Sequence, residues 1–334
     1  MRRQVKTSGW ILGVILAGTA TFGFGCSTPP STPEASTPQA AAPKATEEKA
    51  ETGKTTEATG NKLTIVFPNR GEAGEAQAKA NAVAAFVSKQ MGSPVEAIVA
   101  DDTAAVEALR ANRADVAFLS SRPALKAEQL ANSRLYLAEV RPNYSGGHTY
   151  KSVFIVPKDS PLQDKGSGKA TLEQLKGKRM AFVSPTSGSG FVFPVGELVK
   201  EGLVPGKDRL DSYFGKVSYG GDYTKAIQAV LRKEADVAAV SEYALNPPYI
   251  TEEEKSKVRV LYAIAGVPAH GVSIDDDVPE ATRTKLIAAL MELNKPENQS
   301  LLKDLSNATE LVKVDHDQHL NTVRTALKQA GVEL

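Results

Sequence analysis

The sequence predicts an α/β chain folded as two similar lobes that face each other across a cleft, and three observations carry that expectation. First, Ala105–Ser120 recurs as Ala226–Ser241 with the same spacing throughout; each copy reads as an amphipathic helix, a polar turn and a short apolar strand ending in Ser. Two distant copies are too few for a solenoid; a generic helix–turn–strand unit met twice by chance is the alternative. Second, strand-like and helix-like segments alternate along the chain after residue 61, the pattern of α/β folds. Third, the roughly 270 residues of that region are enough to fill two lobes. Ligands of open α/β sheets bind beyond the carboxyl ends of the strands. Two such edges opposed across a cleft therefore suggest a ligand clamp.

The elements follow in order. Strand Leu63–Phe67 ends at Pro68-Asn69-Arg70-Gly71. A helix fits Gly74–Gln90 and stops before Gly92 and Pro94. After strand Val95–Val99, Asp101-Asp102-Thr103 caps the helix that opens the first copy. Strand Tyr150–Pro157 carries the chain into the second lobe, with Gly146-Gly147 before it as hinge residues. Helix 171–176, strand Arg179–Val183, a Ser/Gly loop, helix 191–201 and the second copy build that lobe. Strand Val258–Ala265 is expected to return to the first lobe, and helices near 279–293 and 316–330 to complete it. The domain layout is thus 62–150 and 257–334 for lobe 1, 151–256 for lobe 2, with two hinge crossings.

The N-terminal region says where the chain works. Arg2, Arg3 and Lys6 precede an apolar run from Trp10 to Phe24, too short for a comfortable membrane span. Gly25-Cys26-Ser27 follows, and Cys26 is the only cysteine, so no disulfide forms within the chain. A lone Cys after a small residue at the end of such a run resembles a bacterial lipobox, although Gly23 and Phe24 depart from the usual pattern. Residues 1–26 are read as a lipoprotein signal peptide with Cys26 as the lipidation site; a plain signal peptide with an incidental Cys is the alternative. Residues 27–61 are Pro, Thr, Ala, Glu and Lys with almost no large apolar side chain, which cannot bury a core and reads as a disordered tether. Net charge is +1 with no basic cluster, so nucleic-acid binding has no support.

The chemistry concentrates in Ser184-Pro185-Thr186-Ser187-Gly188-Ser189-Gly190-Phe191, which follows a strand and opens a helix. Its glycines let backbone N–H groups converge, and a helix N-terminus adds partial positive charge. Ser187 and Ser189 can donate to the same anion. No P-loop lysine is present, which argues against nucleotide hydrolysis. Taken alone, the segment equally fits a Gly/Ser turn whose Ser caps a helix.

From about residue 62 to 280 the chain resembles the phosphonate/phosphite-type binding proteins of ABC transporters, a branch of the type II periplasmic binding fold. The resemblance rests on Leu63–Pro68, Asp102–Val106, Ala114–Leu119, Tyr150–Val156, Lys158-Asp159-Ser160 and above all Ser184–Pro194. It implies that Ser187 and Ser189 hold oxyanion oxygens, with Gly188 in place of an intervening Thr, and that Tyr150 contacts the ligand. Thr103 stands where the family usually has another Tyr. Gly220-Gly221-Asp222 stands where a His often precedes an acidic residue. His270 falls near an acidic position that meets the ligand amine in aminophosphonate binders.

The residues expected at the ligand are Ser187, Gly188, Ser189, Gly190, Tyr150, Asp222, Thr103, Ser120, Ser121, Tyr243 and His270. Arg70 and Arg122 could be anion ligands or surface residues, and His148 reads as a loop residue. His316 and His319 lie three apart on a predicted helix beside Asp315 and Asp317, a pattern read as a solvated helix face, not a metal site. Ser187 with His270 lacks a G-x-S-x-G elbow and a placed acid, so hydrolysis is disfavoured. The expectation is a non-enzymatic, monomeric lipoprotein with no cofactor or metal. It would capture a small phosphorus oxyanion (phosphite, methylphosphonate or phosphate) for an ABC permease and be held at the membrane by its lipid anchor. A receptor feeding a signalling system is the alternative.

Overall fold

The structure, a computed structural model, describes residues 62–69 and 73–334. Cys26, the signal-like segment, the tether and Arg70 lie outside the described residues. The chain begins with β1 (Leu63–Pro68), α1 (Ala73–Met91), β2 (Val95–Ala100), α2 (Asp102–Arg110), β3 (Val116–Leu119), α3 (Ser121–Ala131) and β4 (Arg134–Val140). It continues with β5 (Thr149–Pro157), α4 (Gly168–Glu173), β6 (Arg179–Phe182), α5 (Phe193–Lys200), β7 (Lys216–Tyr219), α6 (Tyr223–Leu231), β8 (Val237–Ser241), α7 (Glu252–Lys255) and β9 (Val258–Pro268). The last elements are β10 (Gly271–Ile274), α8 (Glu280–Met291), α9 (Gln299–Ser306), β11 (Glu310–Lys313) and α10 (His316–Ala330). No helix among the described residues is long and apolar enough to cross a membrane.

Two sheets result, ordered β11-β4-β10-β3-β1-β2 and β7-β6-β8-β5-β9. They share one plan. β1 lies parallel between β2 and β3, as β6 lies parallel between β7 and β8. An antiparallel strand follows in each, β10 between β3 and β4 and β5 between β8 and β9, and the first sheet adds a second, β11, on β4. β10 and β5 each come from just after a crossing.

The sequence repeat is a structural repeat in detail. Asp101 caps α2 by accepting from the Ala104 N–H, and Asp222 caps α6 by accepting from the Lys225 N–H, each at 2.8 Å. The turns contain Asn112 and Lys233, both left-handed at φ 50° and 60°. Asp115 accepts from the Thr64 N–H of β1 at 2.6 Å, and Asp236 from the Arg179 N–H of β6 at 2.9 Å. Each copy thus pins the leading strand of its own sheet.

Three expectations need correction. The strand starting at Val258 does not return to the first lobe: β9 pairs with β5 from Pro157↔Val258 to Thr149↔Pro268, so the second crossing falls after Pro268. An apolar strand carries no mark of which sheet accepts it, and hydrogen bonding along β5 decides. The first crossing lies in the segment between β4 and β5 that contains Gly146-Gly147. There Gly146 and Thr149 exchange backbone bonds of 3.0 and 3.3 Å, so the Gly pair sits in a closed turn. Finally, α10 is not a first-lobe helix alone. It lies against α5 and β9 of the second sheet as well as α3 and β4 of the first. The approach to α5 is close enough that a Cβ on Gly196 would meet the Ala326 carbonyl oxygen at 3.0 Å. His316 and His319 face this packing and are buried, not solvated.

The core has two parts. Ile65, Phe67, Val116, Phe118, Val272 and Ile274 pack toward α1, α8 and α9. The opposite face of the first sheet joins α2, α3, α10 and the whole second lobe in one continuous cluster. Strands buried on both faces read as unbroken apolar runs, as Ile65–Phe67 of β1 and Val237–Val240 of β8 do.

Candidate functional site

The Ser/Gly segment folds as a tight turn at the carboxyl end of β6. After Phe182 the chain bends through Ser184–Ser187, makes one turn of π-helix over Gly188–Val192, and enters α5 with Pro194 in its first turn. Ser187 Oγ accepts from the Gly190 N–H at 3.1 Å, and the Val183 N–H donates to the Gly190 carbonyl at 3.2 Å. Gly190 is required by this closure: a Cβ there would lie 2.6 Å from Val183 Cβ and 2.8 Å from Ser187 Oγ. Gly188 has no neighbour within 4 Å of a built Cβ, so it faces open space.

Ser189 is fully buried. Its hydroxyl lies 2.8 Å from Tyr223 Oη, which is 3.4 Å from Tyr243 Oη. Its carbonyl accepts from Ser152 Oγ at 2.6 Å. Tyr150 packs on Tyr144 and Tyr243 with ring centroids 4.9 and 5.1 Å away, and Tyr249 packs on Tyr223 and Tyr243, each at 5.9 Å. Beneath them Arg141 pairs with Glu139 at 2.5 Å, both buried, with the guanidinium 5.4 Å from the Tyr144 ring. Burial opposes the charge on Arg141, yet the Glu139 carboxylate outweighs it and raises the arginine's pKa. Ser241 ends β8 directly opposite Ser152 in the ladder, on the same face of the sheet. Its hydroxyl is buried and finds no hydrogen-bond partner among the described residues.

This arrangement is a supply of neutral donors. A hydroxyl has one proton and two lone pairs. Ser187 accepts from Gly190 and so keeps its proton to give. In the chain Ser189–Tyr223–Tyr243, two bonds among three hydroxyls leave one proton unspent. Burial, reinforced by neighbouring phenols, holds the pKa of Tyr150 and Tyr243 well above the ordinary tyrosine value. Burial likewise pushes Tyr223 up to about 12. The phenols stay protonated through the neutral range and can serve an anion without a full counter-charge.

The sequence-predicted residues separate into groups. Ser187, Gly188, Ser189, Gly190, Tyr150 and Tyr243 come together at this edge. Asp222 caps α6 beside them and also meets Lys225 Nζ at 3.1 Å. Burial works to raise its pKa, but the Lys225 N–H and ammonium outweigh that and lower it. Thr103, Ser120 and Ser121 sit across the cleft, where β3 and α2 meet α3. Thr103 is exposed and Ser120 Oγ donates to Asp102 at 2.5 Å. Arg122, two positions into α3, reaches the Thr186 carbonyl oxygen at 3.3 Å. His270 lies on the second crossing, its carbonyl accepting from the Glu139 N–H at 2.8 Å.

Sequence reasoning missed Tyr144, Tyr223, Tyr249, Ser152 and the Arg141–Glu139 pair. Tyr144 and Tyr249 lie in loops and only Tyr223 begins a helix, so no local pattern in the sequence marks them as one cluster. His316, Glu128 and Asp317 could geometrically hold a cation, but Arg324 and Arg134 already engage the two carboxylates at 2.6 and 2.7 Å. His316 Nδ1 accepts from the Leu135 N–H at 2.8 Å, and burial lowers its pKa. The cluster is a clasp joining α10 to α3 and β4.

Comparison with known proteins follows the same line. A family model described as ABC transporter, phosphonate, periplasmic substrate-binding protein matches residues 65–320. The phosphonates-binding periplasmic protein of Escherichia coli is 28% identical over 226 residues, covering 66% of this chain and 62% of that protein. The phosphate-import protein PhnD of Mycolicibacterium smegmatis is 28% identical over 158 residues, 47% of each chain. The chain thus spans less than two thirds of the length of these relatives. PhnD1 from Prochlorococcus marinus, solved with methylphosphonate, matches with a TM-score of 0.61 at 20% identity, covering 80% of this chain and 97% of that one. That likeness shows the fold, a type II periplasmic binding architecture. The chain belongs to the phosphonate-binding family of periplasmic ABC-transporter substrate-binding proteins.

Proposed function

We propose that this chain captures a small phosphorus oxyanion (phosphite, methylphosphonate or phosphate) between its lobes and delivers it to an ABC permease. Its tether and a lipid on Cys26 would keep it at the extracytoplasmic face of the membrane. The observation that carries this reading is the hydroxyl set at the edge of the second sheet: Ser187, the Ser189–Tyr223–Tyr243 chain and the buried hydroxyl of Ser241. It surrounds the Ser/Gly turn with proton donors and adds no lysine. A tetrahedral oxyanion would exchange its water for these donors and for backbone N–H groups of the turn. Each hydrogen bond to charged oxygen contributes about 1.5–3 kcal/mol. A ligand that contacts both lobes only when they approach stabilises the closed state.

The arrangement favours anions without an amine. An ammonium taken out of water needs a carboxylate partner. Asp222 is committed to its cap and to Lys225, Glu139 to Arg141, and Glu242 Oε1 to Ser145 and the Lys151 N–H. Calorimetric titration with phosphate, phosphite, methylphosphonate and 2-aminoethylphosphonate tests this. Tighter binding of 2-aminoethylphosphonate than of phosphite and methylphosphonate would overturn the preference, and no binding of any would overturn the function.

A further inference from the structure

Arg122 stands where an arginine is least at ease. It lies in the first turn of α3, just after Ser120 at the N-cap position, where the helix already presents partial positive charge. It is also half-buried, and burial alone lowers its pKa below the ordinary arginine value. Among the described residues, both hydrogen-bond partners of the guanidinium are neutral backbone carbonyls: Thr186 at 3.3 Å and Glu333 at 2.6 Å. Thr186 belongs to the anion-binding turn of the second lobe. Glu333 follows α10, which lies on α5, the helix that this same turn opens. Lys126, one turn further along α3, reaches the Leu334 oxygen at 3.2 Å. The side chain therefore leaves the carboxyl edge of the first sheet and bonds two segments tied to the second. A groove of about 270 Å³ runs beside it, lined by Thr103, Val106, Lys126, Leu130 and Thr186.

We propose that Arg122 is the latch of the cleft: a positioning residue that holds the Ser/Gly turn against the first lobe and acts through that turn, without touching the ligand. For its ligand arm this rests on the oxyanion reading above. A latch raises the fraction of molecules already arranged for binding, and apparent affinity scales with that fraction. It should therefore favour every ligand of the cleft by one common factor.

The test uses the full chain in detergent, with Cys26→Ala and spin labels at Lys89→Cys and Lys216→Cys, both exposed, one on each lobe. Arg122→Gln should lengthen the interlobe distance without ligand. It should also weaken phosphite, phosphate and methylphosphonate alike, by about three- to tenfold, with Arg122→Lys in between. Unchanged ligand-free distances with losses that grow with ligand charge would make Arg122 a ligand contact and overturn the latch. Unchanged distances and unchanged affinities would overturn it too. A lengthened distance in a protein whose parent binds none of the anions would keep the latch and sink the oxyanion reading.

Discussion

The two copies of the repeat share caps, turns and pinning aspartates, yet they end differently. The first ends at Ser120-Ser121-Arg122: a hydroxyl held by Asp102, then a guanidinium that reaches out to the opposite loop. The second ends at Ser241-Glu242-Tyr243. There the hydroxyl is buried without a partner among the described residues, Glu242 Oε1 gathers the Ser145 N–H, Ser145 Oγ and the Lys151 N–H at 2.9–3.0 Å, and Tyr243 enters a cluster of rings. One backbone plan thus carries a charged edge in one lobe and a hydroxyl-rich, aromatic edge in the other. Backbone topology sets where a site lies, and the residues just past each strand set what it does.

The largest expected effect comes from blocking the hydroxyl edge without disturbing the fold. Gly188 faces open space and needs no positive φ, so Gly188→Val should melt within a few degrees of wild type. Its side chain would occupy the approach to the turn, and affinity should fall by more than about a hundredfold, from the loss of two or more charge-assisted bonds. Unchanged affinity in a calorimetric titration would move the ligand away from this turn.

A step smaller, Ser189→Ala breaks the hydroxyl chain to Tyr223 and should weaken the anion by about ten- to a hundredfold. Ser241→Ala sharpens the contrast. Deleting a buried hydroxyl without a partner should leave thermal stability unchanged or raise it by about 1 kcal/mol, while affinity drops about tenfold if that hydroxyl serves the ligand. A loss of stability with affinity intact would make Ser241 a structural residue. The matching Ser120 is already bonded to Asp102, so Ser120→Ala should cost stability first.

The smallest effect separates the pinning aspartates by pH. At Asp236 the Arg179 guanidinium outweighs burial and lowers the carboxyl pKa, so the pairing stabilises at neutral pH and is lost as pH falls through the folded value. At Asp115 burial outweighs the Thr64 N–H and raises it, so its contribution is greatest in acid and is lost as pH rises through the folded value. Asp236→Asn should cost about 0.5–1 kcal/mol at pH 7, the pair being partly exposed, and nothing well below pH ~4. Asp115→Asn should be neutral or stabilising at pH 7 and lose that advantage in acid. Thermal melts across pH check both, and parallel curves for the two variants would refute the contrast.

Much of this was legible in the sequence. The repeat gave the lobes, because its apolar spacing and its aspartates serve the same local bonds twice. The Ser/Gly turn was legible because only glycine fits at Gly190 and because a strand and a helix flank it. The tyrosine cluster was not. Its members come from the first crossing, β5, the start of α6 and the segment after β8, and nothing local records that these meet. The membership of β9 was equally hidden, since strand propensity is silent about partners. The burial of His316 and His319 depended on α10 lying across both lobes, a tertiary outcome.

The exchange of antiparallel strands between sheets has a consequence for the order in which the chain is made. β10 lies between β3 and β4, yet it follows every strand of the second sheet in the chain. Until residues 271–274 emerge from the ribosome, β3 and β4 flank an empty slot and the first sheet cannot close. The half synthesised first is therefore the half completed last.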